Sequence, residues 1–339
     1  MPEMRRDPIT KNWVVIASER AKRIAPPIYR AVAEIEKIEY EKNCFFCSGN
    51  EHTTPPETLS YRQENTVSDS PGWEVRVVPN KFAALNLEHD FHIIQENSLK
   101  VFSWAAGVSE VVIETNRHLQ NLALCSTNQV ANVLRAYRDR YLAISKENSI
   151  KYILIFRNNR KEAGATIEHP HSQIIATPII PLKLSEEFSG AYDYYESTGR
   201  CVFCDIVKME TKDRQRIICE NELFVSFTPY SSRVPYECWI MPKYHTAGFQ
   251  DLDEIKIAYL SEIWKATLYK LYAGLDNPPY NYYIHTSPVK KNMDKYFHWH
   301  MELLPKLNTP AGFELGTGMY INIAIPEESA EYLRGLEVK

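Results

Sequence analysis

Gly164 to Pro181 reads G-A-T-I-E-H-P-H-S-Q-I-I-A-T-P-I-I-P, and the fold turns on how this stretch is read. His169 and His171 stand two apart in a segment with the character of a strand, where alternate side chains share a face. Both imidazoles can therefore serve one pocket, with Gln173 next along the same face. Two satisfied histidines on a half-buried strand are the simpler reading of an isolated H-x-H, so the surrounding pattern has to discriminate.

That pattern occurs twice. In the first half, Cys44 and Cys47 form a C-x-x-C. Strands then read at Trp73–Asn80 and Ser109–Thr115, with His118 just beyond. Ser126 or Thr127 caps a helix carrying Val130, Val133, Leu134, Tyr137 and Tyr141 at helical spacing, and the strand from Lys151 leads to H-P-H-S-Q. From Cys201 the order recurs as Cys201/Cys204, L-F-V-S-F, a strand ending at His245, a helix opened by Asp251 or Asp253, a strand at Asn281–His285, and F-H-W-H. His118 to His169 is 51 positions and His245 to His298 is 53. Agreement in order, type and distance predicts a duplicated unit. The expected fold is α+β, two tandem domains (1–181 and 200–339), each an antiparallel sheet with flanking helices, joined by a linker at 182–199. A chain of 339 residues can bury both cores.

The net charge of −4 comes from well-mixed acids and bases, which argues against nucleic-acid and anionic-membrane partners. No apolar run approaches the ~20 residues of a membrane helix, so a cytoplasmic protein is expected. Arg20, Lys22 and Arg23 read, on charge pattern alone, as a solvated cluster. Four of the seven cysteines fall in the two C-x-x-C pairs, leaving Cys125, Cys219 and Cys238 single. In a reducing compartment this usage favours metal or redox chemistry over disulfides.

Cys44, Cys47, His118 and His169 make a Cys₂His₂ set suited to tetrahedral zinc. The repeat predicts a second, Cys201, Cys204, His245 and His298. Glu187, His285, His298 and His300 form a competing set of harder ligands, for iron or zinc, and the two sets share His298. If His169 is a ligand, His171 is left free on the same face. A neutral imidazole is a competent nucleophile toward phosphorus, and Gln173 could donate its amide N–H to a phosphate oxygen. Glu302 stands at the equivalent of Gln173 in the second half, where an anion would repel phosphate, so catalysis is expected in the first half only. No P-loop and no G-x-G-x-x-G is present among the 12 glycines.

Together, W-V-V-I-A-S-E-R-A-K-R, V-V-P-N-K-F-A-A-L, E-T-N-R-H, H-P-H-S-Q, F-H-W-H and A-G-F-E resemble the galactose-1-phosphate uridylyltransferase family of the histidine-triad superfamily, over nearly the whole chain. The resemblance implies histidine-triad-like domains and double-displacement nucleotidyl transfer between a nucleotide sugar and a sugar 1-phosphate, with His171 as nucleophile and Gln173 as its phosphate partner. It moves Arg20 and Arg23 from solvated surface to the phosphate side, and places Asn80, Asn158 and Ser172 among the nucleotide- and phosphate-binding residues. Gly312, Phe313 and Glu314 match a hexose-binding segment that comes, in the family, from the neighbouring subunit, which implies a homodimer. Glu187 and His285 match the family's second metal site. Lys81, Tyr320, Ser172 and Glu168 depart from the uridylyltransferase pattern, while H-S-Q and the second C-x-x-C resemble the ADP-glucose phosphorylase branch. The expected activity is uridylyl transfer from UDP-glucose to galactose 1-phosphate in galactose metabolism. The alternatives are adenylyl transfer from ADP-glucose to phosphate and a zinc-stabilised nucleotide-binding scaffold without turnover.

Overall fold

The computed structural model describes residues 1–23 and 39–338; the side chains of 21–23 lie outside the described set. Strand β1 (Glu3–Arg6) pairs antiparallel with β2 (Trp13–Ile16). Then come β3 (Leu59–Arg62), β4 (Trp73–Pro79), the short hairpin β5 (Ile94–Gln95) and β6 (Val101–Phe102), and β7 (Val108–Ile113). Helix α1 (Thr127–Ile144) follows, then β8 (Tyr152–Asn159) and β9 (His171–Thr177). Helices α2 (Leu182–Thr198) and α3 (Val202–Asp213) precede β10 (Ile217–Glu220), β11 (Phe224–Phe227) and β12 (Cys238–Pro242). Next are helix α4 (Glu254–Gly274), β13 (Tyr280–His285) and β14 (His300–Pro305). The chain closes with α5 (Gly312–Thr317), β15 (Tyr320–Asn322) and α6 (Pro326–Arg334). No described helix is long and apolar enough to cross a membrane.

Ten strands form one sheet in the order β10-β11-β12-β14-β13-β8-β9-β7-β4-β3. Each half contributes five strands with the same path, the fifth strand of the half inserted between its third and fourth. The α+β duplication is therefore present in the topology itself, and the two antiparallel sheets are joined edge to edge where β13 meets β8. The segment 182–199, expected as a linker, is mostly the helix α2 and carries a buried Glu187.

Two N-caps start the main helices. Ser126 accepts from the Gln129 N–H and Asp253 from the Lys256 N–H, which satisfies a first-turn donor in each. The apolar positions read at helical spacing in α1 are all buried. Helices α1 and α4 cover one face of the sheet, sharing a core with Ile153, Ile155, Ile174, Tyr282 and Met301. A second core, built from α2 and α3, covers the other face of the second half. A third small cluster, with Cys44, Phe46, Cys47, Trp73, Val111 and Ile113, covers that face in the first half.

Trp264 on α4 is fully buried, and its ring meets those of Tyr137 on α1 and Tyr282 on β13. Trp264→Ala is expected to cost about 3–5 kcal/mol. Because sheet and core run through both halves, chemical denaturation followed by circular dichroism should show one shifted transition rather than two.

Candidate active site and metal centres

Strand β9 begins at His171, and His169 lies just before it rather than within it. Alternation sends His171 and Gln173 to the face opposite α1 and Ser172 to the α1 face. Register brings further residues to the His171 side. Gln173 pairs with Val111 on β7 and Phe156 on β8, and Val111 pairs in turn with Val78 on β4. Asn80 is two residues past Val78, with its side-chain Oδ1 accepting from the Phe82 N–H. Asn158 is two past Phe156; its Oδ1 accepts from Asn281 Nδ2 at 2.7 Å, leaving its own amide N–H groups as donors on that face.

The His171 ring is nearly buried, and its Nδ1–H donates to the backbone oxygen of His169 at 2.8 Å. A carbonyl only accepts, so Nδ1 carries the proton and Nε2 keeps a lone pair. Burial also holds the His171 pKa below its ordinary value, so the ring is neutral at neutral pH. Phe46, between the paired cysteines, packs edge-on against His171 and His169, with centroids 5.4 and 6.1 Å away.

His169 is oriented the opposite way. Its Nε2–H donates to the Thr115 oxygen at 2.8 Å, which turns an unprotonated Nδ1 toward Cys44 Sγ and Cys47 Sγ, each at 3.6 Å. His118 Nδ1 is 3.4 Å from Cys47 Sγ. A tetrahedral cation bound at about 2.3 Å by sulfur and about 2.0 Å by nitrogen has S···N edges of about 3.5 Å. The four ligand atoms fit that shape. Gly49, at φ +101°, lets the loop turn back after Cys47. Burial pushes the Cys44 thiol up to about 11 and the His169 imidazole down to about 4. A bound cation would supply the charge that makes the thiols thiolates.

The second Cys₂His₂ set assembles as well. Cys201 is the N-cap of α3 and Cys204 lies in its first turn, unlike the loop pair of the first half. Cys204 Sγ is 3.1 Å from His245 Nδ1 and 3.6 Å from His298 Nδ1. His245 Nε2–H is held by the Asp294 oxygen. A hydrogen bond from the Cys204 thiol, against the opposing effect of burial, holds the Cys201 thiol below its ordinary range.

The competition for His298 does not arise. His298 belongs to the cysteine set, and Glu302 completes the other group with Glu187, His285 and His300. His285 Nδ1 is 2.8 Å from Glu187, and His300 Nε2 is 3.4 Å from Glu302 and 3.7 Å from Glu187. Glu302 is thus part of a buried charged cluster, also held by Arg233 and by the Tyr283 hydroxyl. Burial lowers the His300 pKa, but the two carboxylates outweigh it and raise it overall.

Of the remaining expected residues, Ser172 stands away from the face that carries His171 and Gln173. The Ser172 hydroxyl is fully buried on the α1 side, bonded to Tyr137, so it does not join His171 and Gln173. Arg20 is exposed on the short 3₁₀ turn after β2; the side chain of Arg23, at the end of that turn, lies outside the described residues. Gly312, Phe313 and Glu314 open α5, where Phe313 is half exposed and Glu314 accepts from the Ala311 N–H. Among the described residues, no hydrogen bond of that segment reaches His171. Gly318 and Tyr320, just beyond it, line a cavity with Lys183, Glu187, His285 and Glu302 instead.

Family models for the N-terminal and C-terminal domains of galactose-1-phosphate uridyl transferase match residues 1–181 and 187–334. The chain belongs to this family. It is an enzyme of the nucleotidyltransferase type. An ADP-glucose phosphorylase from Arabidopsis thaliana is 35% identical over 336 residues, 98% of this chain and 92% of that protein. The galactose-1-phosphate uridylyltransferase of Thermotoga maritima is 28% identical over 347 residues, spanning both chains in full. The crystal structure of an ADP-glucose phosphorylase from Arabidopsis thaliana with bound ADP-glucose is similar at 34% identity and a TM-score of 0.83, covering 99% of this chain and 100% of that one.

Metal analysis of the purified protein tests the two cysteine sets separately. Cys47→Ser and Cys201→Ser are each expected to lower bound metal by one equivalent, and the double variant by two. Retention of full metal content by Cys201→Ser would remove the second cysteine site.

Proposed function

We propose that this enzyme transfers an adenylyl group from ADP-glucose to inorganic phosphate through a covalent adenylyl-His171, which reverses the order of preference drawn from sequence patterns. The observation that carries the mechanism is the His171 ring, whose Nδ1–H is tied to the His169 carbonyl so that Nε2 presents its lone pair. The adenine reading is supported by the Arabidopsis thaliana ADP-glucose phosphorylase, more similar at 35% identity than the Thermotoga maritima uridylyltransferase at 28%. The second cysteine set adds to that support.

His171 Nε2 attacks the α-phosphorus, forming a P–N bond as the P–O bond to glucose 1-phosphate breaks. An oxygen of inorganic phosphate then attacks the same phosphorus, releasing ADP and restoring the lone pair. Gln173 donates its amide N–H to an α-phosphate oxygen as charge builds there, and Arg20 and Arg23 are proposed to meet the phosphates. Asn80 and Asn158 offer amides to the nucleotide. Ser172 is assigned to support of the strand rather than to phosphate.

Zinc is the metal proposed for both cysteine sets, since thiolate and imidazole in a closed four-ligand shell suit it. In the first set it would tie the Cys44–Cys47 loop and His118 to the start of β9, a structural cross-link beside the reacting ring. The Gly312–Glu314 segment, with Phe313 half exposed, is proposed to reach the active site of a second copy, making the working unit a homodimer. Free cysteines and thiolate sites persist under reducing conditions, so the cytoplasm is the compartment proposed.

Incubation with α-³²P-labelled ADP-glucose should place acid-labile, base-stable label on the protein and release glucose 1-phosphate. Label from UDP-glucose alone would select the uridylyl reading, and label from neither would reject turnover. His171→Asn should abolish labelling and lower kcat on the order of 10³-fold or more. Gln173→Ala should lower kcat by about 10²- to 10³-fold.

A further inference from the structure

Behind β9, on the face turned away from the proposed reaction, lies a buried polar group that the chemistry above does not use. The Tyr137 hydroxyl donates to Ser172 Oγ at 2.6 Å, and it lies 2.6 Å from the Tyr282 hydroxyl and 3.2 Å from Glu114 Oε1. Tyr282 also donates to Glu114, at 3.1 Å, and Arg157 forms an ion pair with the same carboxylate. All five residues are at most 3% exposed. The main chain of this segment grips β9 as well. The Glu114 N–H donates to the Pro170 oxygen at 3.1 Å, and the Thr115 oxygen holds His169.

We propose that Tyr137, braced by Glu114, is a positioning residue for His171 acting through Ser172, an inference that rests on the reading of His171 as the nucleophile. Both neighbours of His171 are held from Glu114, Pro170 directly through the backbone and Ser172 through Tyr137. Such a clamp keeps the His169 oxygen at hydrogen-bond distance from Nδ1 and so keeps Nε2 aimed. A displacement of about 1 Å at a reacting group can cost about 10²-fold in rate.

The duplicated half provides the internal comparison. Aligning His169/His171 with His298/His300 puts Met301 where Ser172 stands, and Met301 is fully buried in the same core. Met301 carries no hydroxyl, so the fold itself does not require one at that position. Burying a carboxylate, a guanidinium and three hydroxyls carries a desolvation cost. The group is built around the strand that keeps His-x-Gln, with Tyr282 reaching in from β13, and Met301 takes the place of its Ser172 on the strand with His-x-Glu.

The test compares Tyr137→Phe, Ser172→Ala and the double variant in the metal-loaded full chain, by two readouts. The first is the ring ¹⁵N spectrum of His171, assigned against His171→Asn, which needs no substrate. Wild type should show one δ-protonated tautomer, and each variant an averaged ring. The second is turnover of ADP-glucose and phosphate, where kcat should fall about tenfold in each single variant with KM within about twofold, and no further in the double. An unchanged ring spectrum and kcat in Tyr137→Phe, even with a lowered Tm, would overturn the proposal by leaving the group a core element only. Additive losses in the double variant would likewise overturn the route through Ser172. Should Tyr137→Phe fail to fold, Ser172→Ala carries both readouts. If wild type turns over neither nucleotide sugar, the proposed function fails, while the ring spectra still decide the clamp.

Discussion

The pairing of β8 with β13 is the contact on which the rest of the molecule depends. Each strand would otherwise end a five-stranded sheet and expose a row of unpaired N–H and C=O groups. The ladder from Tyr280↔Asn159 to Ile284↔Ile155 removes both edges at once. It also decides what covers the sheet. Helices α1 and α4 follow the third strand of their respective halves, so joining the halves sets the two helices side by side on one face. Tyr137, Trp264 and Tyr282 then meet across the joint. Residues of the second half thereby contact the first, with Asn281 fixing the Asn158 amide and Tyr282 reaching Glu114.

Much of this was legible as pattern. Helical and strand periodicities, the two N-caps and the matched distances between cysteines and histidines all describe local structure or its repetition, and both cysteine sets assemble as those distances required. The histidines of each Cys₂His₂ set flank strand ends, and sheet registers hold such ends within narrow limits. The joint was not legible, because β8 and β13 carry the same alternating apolar residues whether they face each other or solvent. The place of Glu302 was missed for a related reason. Glu187 arrives from α2 and His285 from β13, and spacing along the chain does not report which side chains converge in space. Ser172 could have been placed from sequence. The alternation that sets His171 and Gln173 on one face requires the residue between them to point to the other.

The departure of Ser172 from the uridylyltransferase pattern takes on meaning only with its surroundings. A hydroxyl in an apolar core needs a partner, and Tyr137 provides it. Tyr137 in turn lies against the Tyr282 hydroxyl and Glu114, and the charge of Glu114 is paired with Arg157. Each member answers the desolvation of the previous one, so the group is interpretable only as a unit. Single-residue inspection of the sequence finds five ordinary core positions.

The two halves place the same imidazole device in opposite electrostatic settings. His171 and His300 each donate Nδ1–H to the carbonyl of the histidine two residues earlier, at 2.8 and 3.1 Å, so both rings turn Nε2 outward. In the first half the next residue on that face is Gln173, an amide that can donate to a phosphate oxygen and leaves the lone pair untouched. In the second it is Glu302, which with Glu187 favours the protonated His300 ring. Two carboxylates beside the ring would repel an approaching phosphate. One amide-to-carboxylate difference, supported by Glu187 from α2, therefore separates the site proposed for the nucleophile from a buried charged cluster. Nothing in the backbone of the two copies needs to differ for this to happen.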